Sequence, residues 1–213
     1  MNRWDQESGP LIRIKICGVT EIEHVEAAAE AGADAIGIVM THTSPRCVSP
    51  DQAQRLADAA PSTMATVTLL VDPDTHALHH RPSPWVQLHG HENAQTIEEA
   101  RLHGPVIRGI SATNLNAIQE ADQNRHVDRL LIDGPQGGGG STFDHNAFGH
   151  MASRLRTPWI LAGGLDPDNV TSALHVLHPW GVDVSSGVES QRGVKDIGKI
   201  HAFCQAVRSG DCG

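Results

Sequence analysis

No stretch of the 213-residue chain approaches the roughly 18 consecutive apolar residues of a membrane-spanning helix, so no membrane partner is expected. The first ten residues, MNRWDQESGP, are polar and carry no apolar core. They read as an untethered N-terminal arm (1–10) and not as a signal peptide, which makes the cytoplasm the expected location. Positive charge is in short supply: 16 Lys and Arg stand against 25 Asp and Glu, for a formal net charge of -9. That balance speaks against nucleic acid as a partner, and any anionic ligand needs a site that is locally positive. Cysteine is scarce as well. Cys17, Cys47, Cys204 and Cys212 form no C-x-x-C pair and no zinc-like spacing, and a chain this long has core enough to do without a disulfide framework. Of the 14 histidines, His89 and His91 in LHGHE suit neither a zinc finger nor a helical H-E-x-x-H, so no metal site is expected.

What the chain does contain is a regular alternation. Short apolar, β-branched runs fall at Arg13–Cys17, Ala35–Met40, Met64–Val71, Trp85–His89, Val106–Ile110, Asp128–Asp133, Pro158–Ala162 and Val182–Val184. Helix-period segments separate them, among them TEIEHVEAAAEAGA, SPDQAQRLADAA and VKDIGKIHAFCQAV, the first opened by a Thr20–Glu23 capping box. Eight β–α repeats of about 25 residues imply parallel strands joined by crossover helices. In a chain of this length they fit a single closed (β/α)8 TIM barrel over residues 11–213 better than an open sheet. No G-x-G-x-x-G follows the first strand, which leaves a dinucleotide site without support.

In such a barrel the C-terminal strand ends form the active face. The polar residues there are Cys17, Gln87, His89, Asp133, Gly163, Gly164, Ser185, Ser186 and Gly187. They include a possible base, a possible acid, and two glycine-bearing turns. LAGGL after strand seven and VSSGVE after strand eight occupy the two positions where barrels often hold phosphate on loop N–H groups and a short helix start. Gly163, Gly164, Ser185, Ser186 and Gly187 are therefore the expected phosphate binders. Alternation along strand one puts Arg13, Lys15 and Cys17 on the face toward the barrel axis. Strand eight closes against strand one, so Lys15 either pairs with Asp183 or reaches an end of the barrel. Four adjacent glycines, Gly137–Gly140, lack the Lys-Ser/Thr ending of a P-loop and are expected to form a mobile flap.

The segments KICGVT, SPRCVSPDQA, VQLHG, LLID, the glycine stretch running into TFD, LAGGLDPDNV and VDVSSGVESQRGVKD resemble, in order, the motifs of the phosphoribosylanthranilate isomerase family. The resemblance runs from about Leu11 nearly to the end of the chain. It implies a (β/α)8 fold, no metal, no organic cofactor, and an Amadori rearrangement of a phosphorylated aminoaldose in tryptophan biosynthesis. It also implies Cys17 as general base, Asp133 as general acid, and Arg46 as the residue that binds the anthranilate carboxylate. Gln87, His89 and Asp183 complete the expected substrate-binding set. The expected partner is a phosphorylated small molecule, and the expected assembly a monomer or homodimer.

These residue types suit that chemistry. Opening the furanose ring needs a proton on its oxygen, which a carboxylic acid supplies if its pKa is held up by an apolar setting. A thiol of reference pKa about 8.5 can then take the C2 proton if a nearby cation such as Lys15 favours the thiolate. The chain departs from the family pattern at Asp72, where an amide is usual, at Gly139 and Ser141 in the glycine loop, at His145, and in lacking an aromatic residue near Met40. Two other readings compete: a metal-dependent pentulose-phosphate epimerase, and a degenerate barrel that binds phosphorylated metabolites without turnover.

Overall fold

The computed structural model describes residues 2–6, 11–134 and 145–210. Eight parallel strands close into one barrel in sequential order. They are β1 (Arg13–Cys17), β2 (Ala35–Val39), β3 (Ala65–Leu70), β4 (Trp85–Leu88), β5 (Val106–Ser111), β6 (Arg129–Asp133), β7 (Trp159–Ala162) and β8 (Gly181–Val184). Around them lie α1 (Ile22–Glu30), α2 (Pro50–Ala59), α3 (Thr75–His79), α4 (Ala94–Leu102), α5 (Leu115–Asp122), α6 (His145–Ala152), α7 (Val170–Leu177) and α8 (Ile197–Gly210). This is the expected (β/α)8 architecture, and each strand begins and ends within one residue of the run that foretold it.

The alternation of strand side chains divides the core in two. Ile14, Ile16, Ile36, Ile38, Leu130, Ile132 and Val182 point outward and pack with Val25, Leu56, Ile118 and Phe203 of the helices. Ala35, Val67, Trp85, Ile107, Leu131 and Ile160 fill the barrel interior. The lower end of that interior is sealed from an unexpected direction. Trp4 is fully buried, its ring edge-on to Trp180 at 5.1 Å and to Trp85 at 6.2 Å. Arg129 stacks on Trp180 at 4.7 Å, and Arg3 pairs with Asp34 at 2.7 Å. Residues 2–6 are thus a plug and not the untethered arm that their polar composition suggested. One large apolar ring among polar neighbours was enough, because burying it removes a large apolar surface from water.

Two local readings also need correction. The N-cap of α1 is Glu21, and the residue reaching back is His24, whose Nδ1 accepts the Glu21 N–H at 3.3 Å. The cap therefore lies one position beyond the Thr20–Glu23 pair. In VKDIGKIHAFCQAV, Val194 and Lys195 are not helical. They form β10 (Val194–Lys195), which pairs antiparallel with β9 (Glu189–Gln191) across a turn whose Gly193 has φ +89°. Helix α8 starts only after Asp196, whose carboxylate accepts the Lys199 N–H at 3.0 Å.

Candidate active site

The C-terminal strand ends surround a cavity of about 810 Å³. Cys17, Arg46, Gln87, His89, Asp133, Gly163, Gly164, Asp183, Ser185 and Ser186 all line it. Gly187, the remaining expected residue, lies behind that wall. A Cβ there would collide with the carbonyl oxygen of Leu165, so the turns after β7 and β8 touch backbone to backbone. Among the described residues, the sequence-derived set is therefore gathered at one place. The glycine stretch Gly137–Gly140, with Ser141, lies outside the described residues. His145 is the first residue of α6.

Cys17 ends β1 and is buried. Burial pushes its thiol pKa up, and Asp183 adds to the rise, while Lys15 and Lys195 act in the opposite sense without prevailing. The cation expected to favour the thiolate is indeed beside it, but Lys15 is already committed to Asp183 at 2.8 Å. That pair is the partnership expected from strand alternation, and it stands in register across the β1–β8 seam. Burial pulls the Lys15 pKa down, and Asp183 and Cys17 together lift it above its ordinary value.

Asp133 ends β6 across the cavity. Burial raises its carboxyl pKa, His89 opposes this, and Asp183 reinforces it. Gly163 leaves room for this carboxylate: a Cβ at that position would sit 2.5 Å from Asp133 Oδ1, and its φ of +88° suits glycine. The Gln87 amide donates to His89 Nδ1 at 3.0 Å, which leaves the ring proton on Nε2. Nε2 faces Asp133 Oδ2 at 3.8 Å. Gln87 Oε1, in contrast, is buried without a hydrogen-bond partner among the described residues.

Arg46 comes from the β2–α2 loop and makes a two-pronged pair with Glu189, Nε to Oε1 at 2.5 Å and Nη2 to Oε2 at 2.9 Å. Glu189 also accepts from Lys195 Nζ at 2.9 Å and from the Gly193 N–H at 3.1 Å. Burial pushes the Glu189 carboxyl up, but Arg46, Gly193 and Lys195 together bring it down to about 2. Lys195 in turn donates to the Ser185 carbonyl at 2.9 Å, and the Ser185 hydroxyl donates to the Cys17 carbonyl at 3.0 Å. One charge network thereby joins the Arg46 end, the β8 turn and the thiol strand. Two cations against one carboxylate leave it net positive. Among the described residues only one edge of the Arg46 guanidinium is used, and the other can receive a second carboxylate.

Glu189, Lys195 and the rim residue Arg192 had drawn no individual role from the sequence. All three lie in VDVSSGVESQRGVKD, where opposite charges flanking a glycine were the available sign of a hairpin. Asp72, one of the departures from the family pattern, is not among the residues lining the cavity. Its φ of +45° is in the left-handed region that Asn and Asp tolerate, and Oδ1 accepts the His91 N–H at 2.6 Å. Cys204 is buried in the core, and burial drives its pKa up to about 12.

Comparison with known proteins bears on the family and the fold. A family model described as N-(5'phosphoribosyl)anthranilate (PRA) isomerase matches residues 14–206. The N-(5'-phosphoribosyl)anthranilate isomerase of Nitrosomonas europaea is 38% identical over 207 residues, covering 93% of this chain and 96% of the relative. Among solved structures, TrpF from Jonesia denitrificans superposes with a TM-score of 0.84 at 39% identity, covering 94% of this chain and 98% of its own. A phosphoribosyl anthranilate isomerase in complex with reduced 1-(o-carboxyphenylamino)-1-deoxyribulose 5-phosphate gives 0.83 at 32% identity, covering 93% and 100%. With a barrel of this topology, a thiol and a carboxyl across one cavity, and matches over nearly its whole length, the chain belongs to the N-(5'-phosphoribosyl)anthranilate isomerase family.

Proposed function

We propose that the chain converts N-(5-phosphoribosyl)anthranilate to 1-(2-carboxyphenylamino)-1-deoxyribulose 5-phosphate, a step of tryptophan biosynthesis, with Cys17 and Asp133 as its base and acid. The observation that carries this reading is their placement: both face one cavity that has Arg46 and the paired β7–β8 turns in its walls. Asp133, its pKa raised by burial, gives a proton to the furanose oxygen and the ring opens to a Schiff base. Cys17 then removes the C2 proton, and the resulting enolamine becomes the ketone. The Nε2–H of His89, held by Gln87, aims at the Asp133 carboxylate and keeps it oriented between proton transfers. The substrate phosphate lies against the turns Gly163–Gly164 and Ser185–Gly187, and its anthranilate carboxylate on the open edge of Arg46.

The epimerase reading needs several metal ligands at the strand ends. Among the described residues, no three His, Cys, Asp or Glu side chains at the strand ends come close enough to hold an ion. The degenerate-barrel reading rests on the departures at Asp72 and in the glycine loop; that Cys17 and Asp133 both line the cavity supports turnover instead. Complementing a tryptophan auxotroph that lacks the isomerase is the deciding experiment: growth supports the proposed activity, and no growth from well-expressed protein rejects it.

Two binding predictions arise from the same geometry. Gly187→Ala forces the β8 turn away from Leu165, so KM is expected to rise and inorganic phosphate to compete less well, with little change in kcat. A KM and phosphate competition equal to wild type would remove the phosphate from these turns. Arg46→Ala is expected to weaken substrate binding at least ~10-fold, the scale of a lost charge-assisted pair. An analogue without the carboxylate should lose far less; equal losses would place the carboxylate elsewhere.

A further inference from the structure

On the outer face of the barrel, His79, Glu99 and His103 bring three metal-ligating side chains together. His79 is the last residue of α3, Glu99 lies in α4, and His103 caps the C-terminus of α4 one turn beyond Glu99. Glu99 Oε1 is 2.8 Å from His79 Nε2 and 3.6 Å from His103 Nε2. All three ligand atoms lie within 4.8 Å of one another. The imidazole rings of His79 and His103 lie 4.0 Å apart between centroids, tilted by 45°.

We propose that His79, Glu99 and His103 form a binding site for one divalent ion of the zinc class, clamping the end of α3 to α4. Bond lengths of about 2.0–2.1 Å to nitrogen and oxygen set the ligand-to-ligand edge of a tetrahedral zinc site at about 3.3 Å. The two distances to Glu99 straddle that value, so an ion needs only small side-chain rotations. Two imidazoles and a carboxylate are a donor set that borderline divalent ions prefer over magnesium or calcium. All three side chains are more than one-third exposed, so entry is open and water completes the coordination. An i, i+4 pair at the C-terminal end of α4, met by a histidine from the preceding helix α3, supplies ligands without backbone movement. Glu99 and His103 carry an i, i+4 spacing in the sequence, but His79 joins them only through the packing of α3 on α4, which no local pattern specifies.

Both helix ends lead into the N-terminal ends of β4 and β5, so the site lies at the opposite end of the barrel from Cys17 and Asp133. The ion is therefore structural for the pair of helices and takes no part in turnover.

The test is zinc titration of the full-length, tag-free protein by calorimetry and thermal unfolding, with cobalt as a spectroscopic substitute. One equivalent should bind, and Tm should rise about 5–10 °C with free zinc at about 100 times Kd. The cobalt spectrum should lack a sulfur-to-metal charge-transfer band, and kcat should be unchanged by loading. His103→Ala and Glu99→Gln should each weaken binding at least ~10-fold while leaving the metal-free Tm near that of the parent. Absence of saturable binding overturns the proposal. So does a thiolate-type cobalt spectrum, affinity unaffected in both variants, or zinc inhibition that persists in His103→Ala.

Discussion

Cys17→Ala and Asp133→Asn each lower kcat at least ~10²-fold, the loss expected for a positioned base or acid, while binding of a reduced product analogue changes far less. The alanine leaves no group to take the C2 proton. The asparagine keeps the shape of Asp133 but cannot release a proton to the ring oxygen. The pH profile gives a second handle on the same pair. Burial raises the pKa of both groups, starting from a carboxyl and a thiol whose ordinary values are far apart. Between the two pKa values the resting form therefore holds its proton on Cys17, and the productive form, with thiolate and carboxylic acid, is its isomer with the same net charge. Its share is constant between the two pKa values, so kcat/KM should show a plateau. It falls at low pH, below the Asp133 pKa, where both groups are protonated and the base is lost. It falls again above the Cys17 pKa, where the acid is lost. Near-normal turnover in either variant would remove that residue from the proposed role.

Lys15→Ala should cost about 3–5 kcal/mol of stability, equivalent to a fall in Tm of roughly 6–20 °C. Lys15 is completely buried and, among the described residues, forms its ion pair with Asp183, itself nearly buried. Removing the ammonium strands a carboxylate at the seam where β8 closes on β1. The penalty comes mainly from that uncompensated charge and less from the lost attraction. Replacing both residues together, Lys15→Met with Asp183→Leu, should regain much of the stability while remaining catalytically impaired, because it alters the charges beside Cys17. Denaturant unfolding of the single and double variants separates the two contributions. A single variant within about 1 kcal/mol of the parent would show that the pair does not hold the seam.

The barrel was legible in the chain because β-branched runs such as RIKIC and AIGIV are short, strongly apolar and evenly spaced. The strand ends then named the cavity wall, since topology alone decides which end carries the site. Lys15–Asp183 followed from strand alternation; what stayed hidden was long-range pairing outside the strand register. Arg46 meets Glu189 across 143 residues, and no local pattern in either segment specifies that contact. Trp4 illustrates the same limit: a lone tryptophan in a polar stretch has no period, and its burial depends on Trp85 and Trp180 being brought together by closure. The Cys17 environment was half legible. Alternation placed Lys15 beside the thiol, but whether the cation or burial prevails depends on how far Asp183 neutralises that lysine.

The most direct measurement supplies purified protein with N-(5-phosphoribosyl)anthranilate and quantifies 1-(2-carboxyphenylamino)-1-deoxyribulose 5-phosphate, for the wild type and the double variant Cys17→Ala with Asp133→Asn. Wild-type protein is expected to form the product at a rate proportional to enzyme. The double variant, folded to the same degree, is expected to be slower by at least ~10²-fold and no worse than additive, since the two residues act as a unit. No product from folded wild-type protein, or undiminished product from the double variant, would contradict acid–base isomerisation by Cys17 and Asp133.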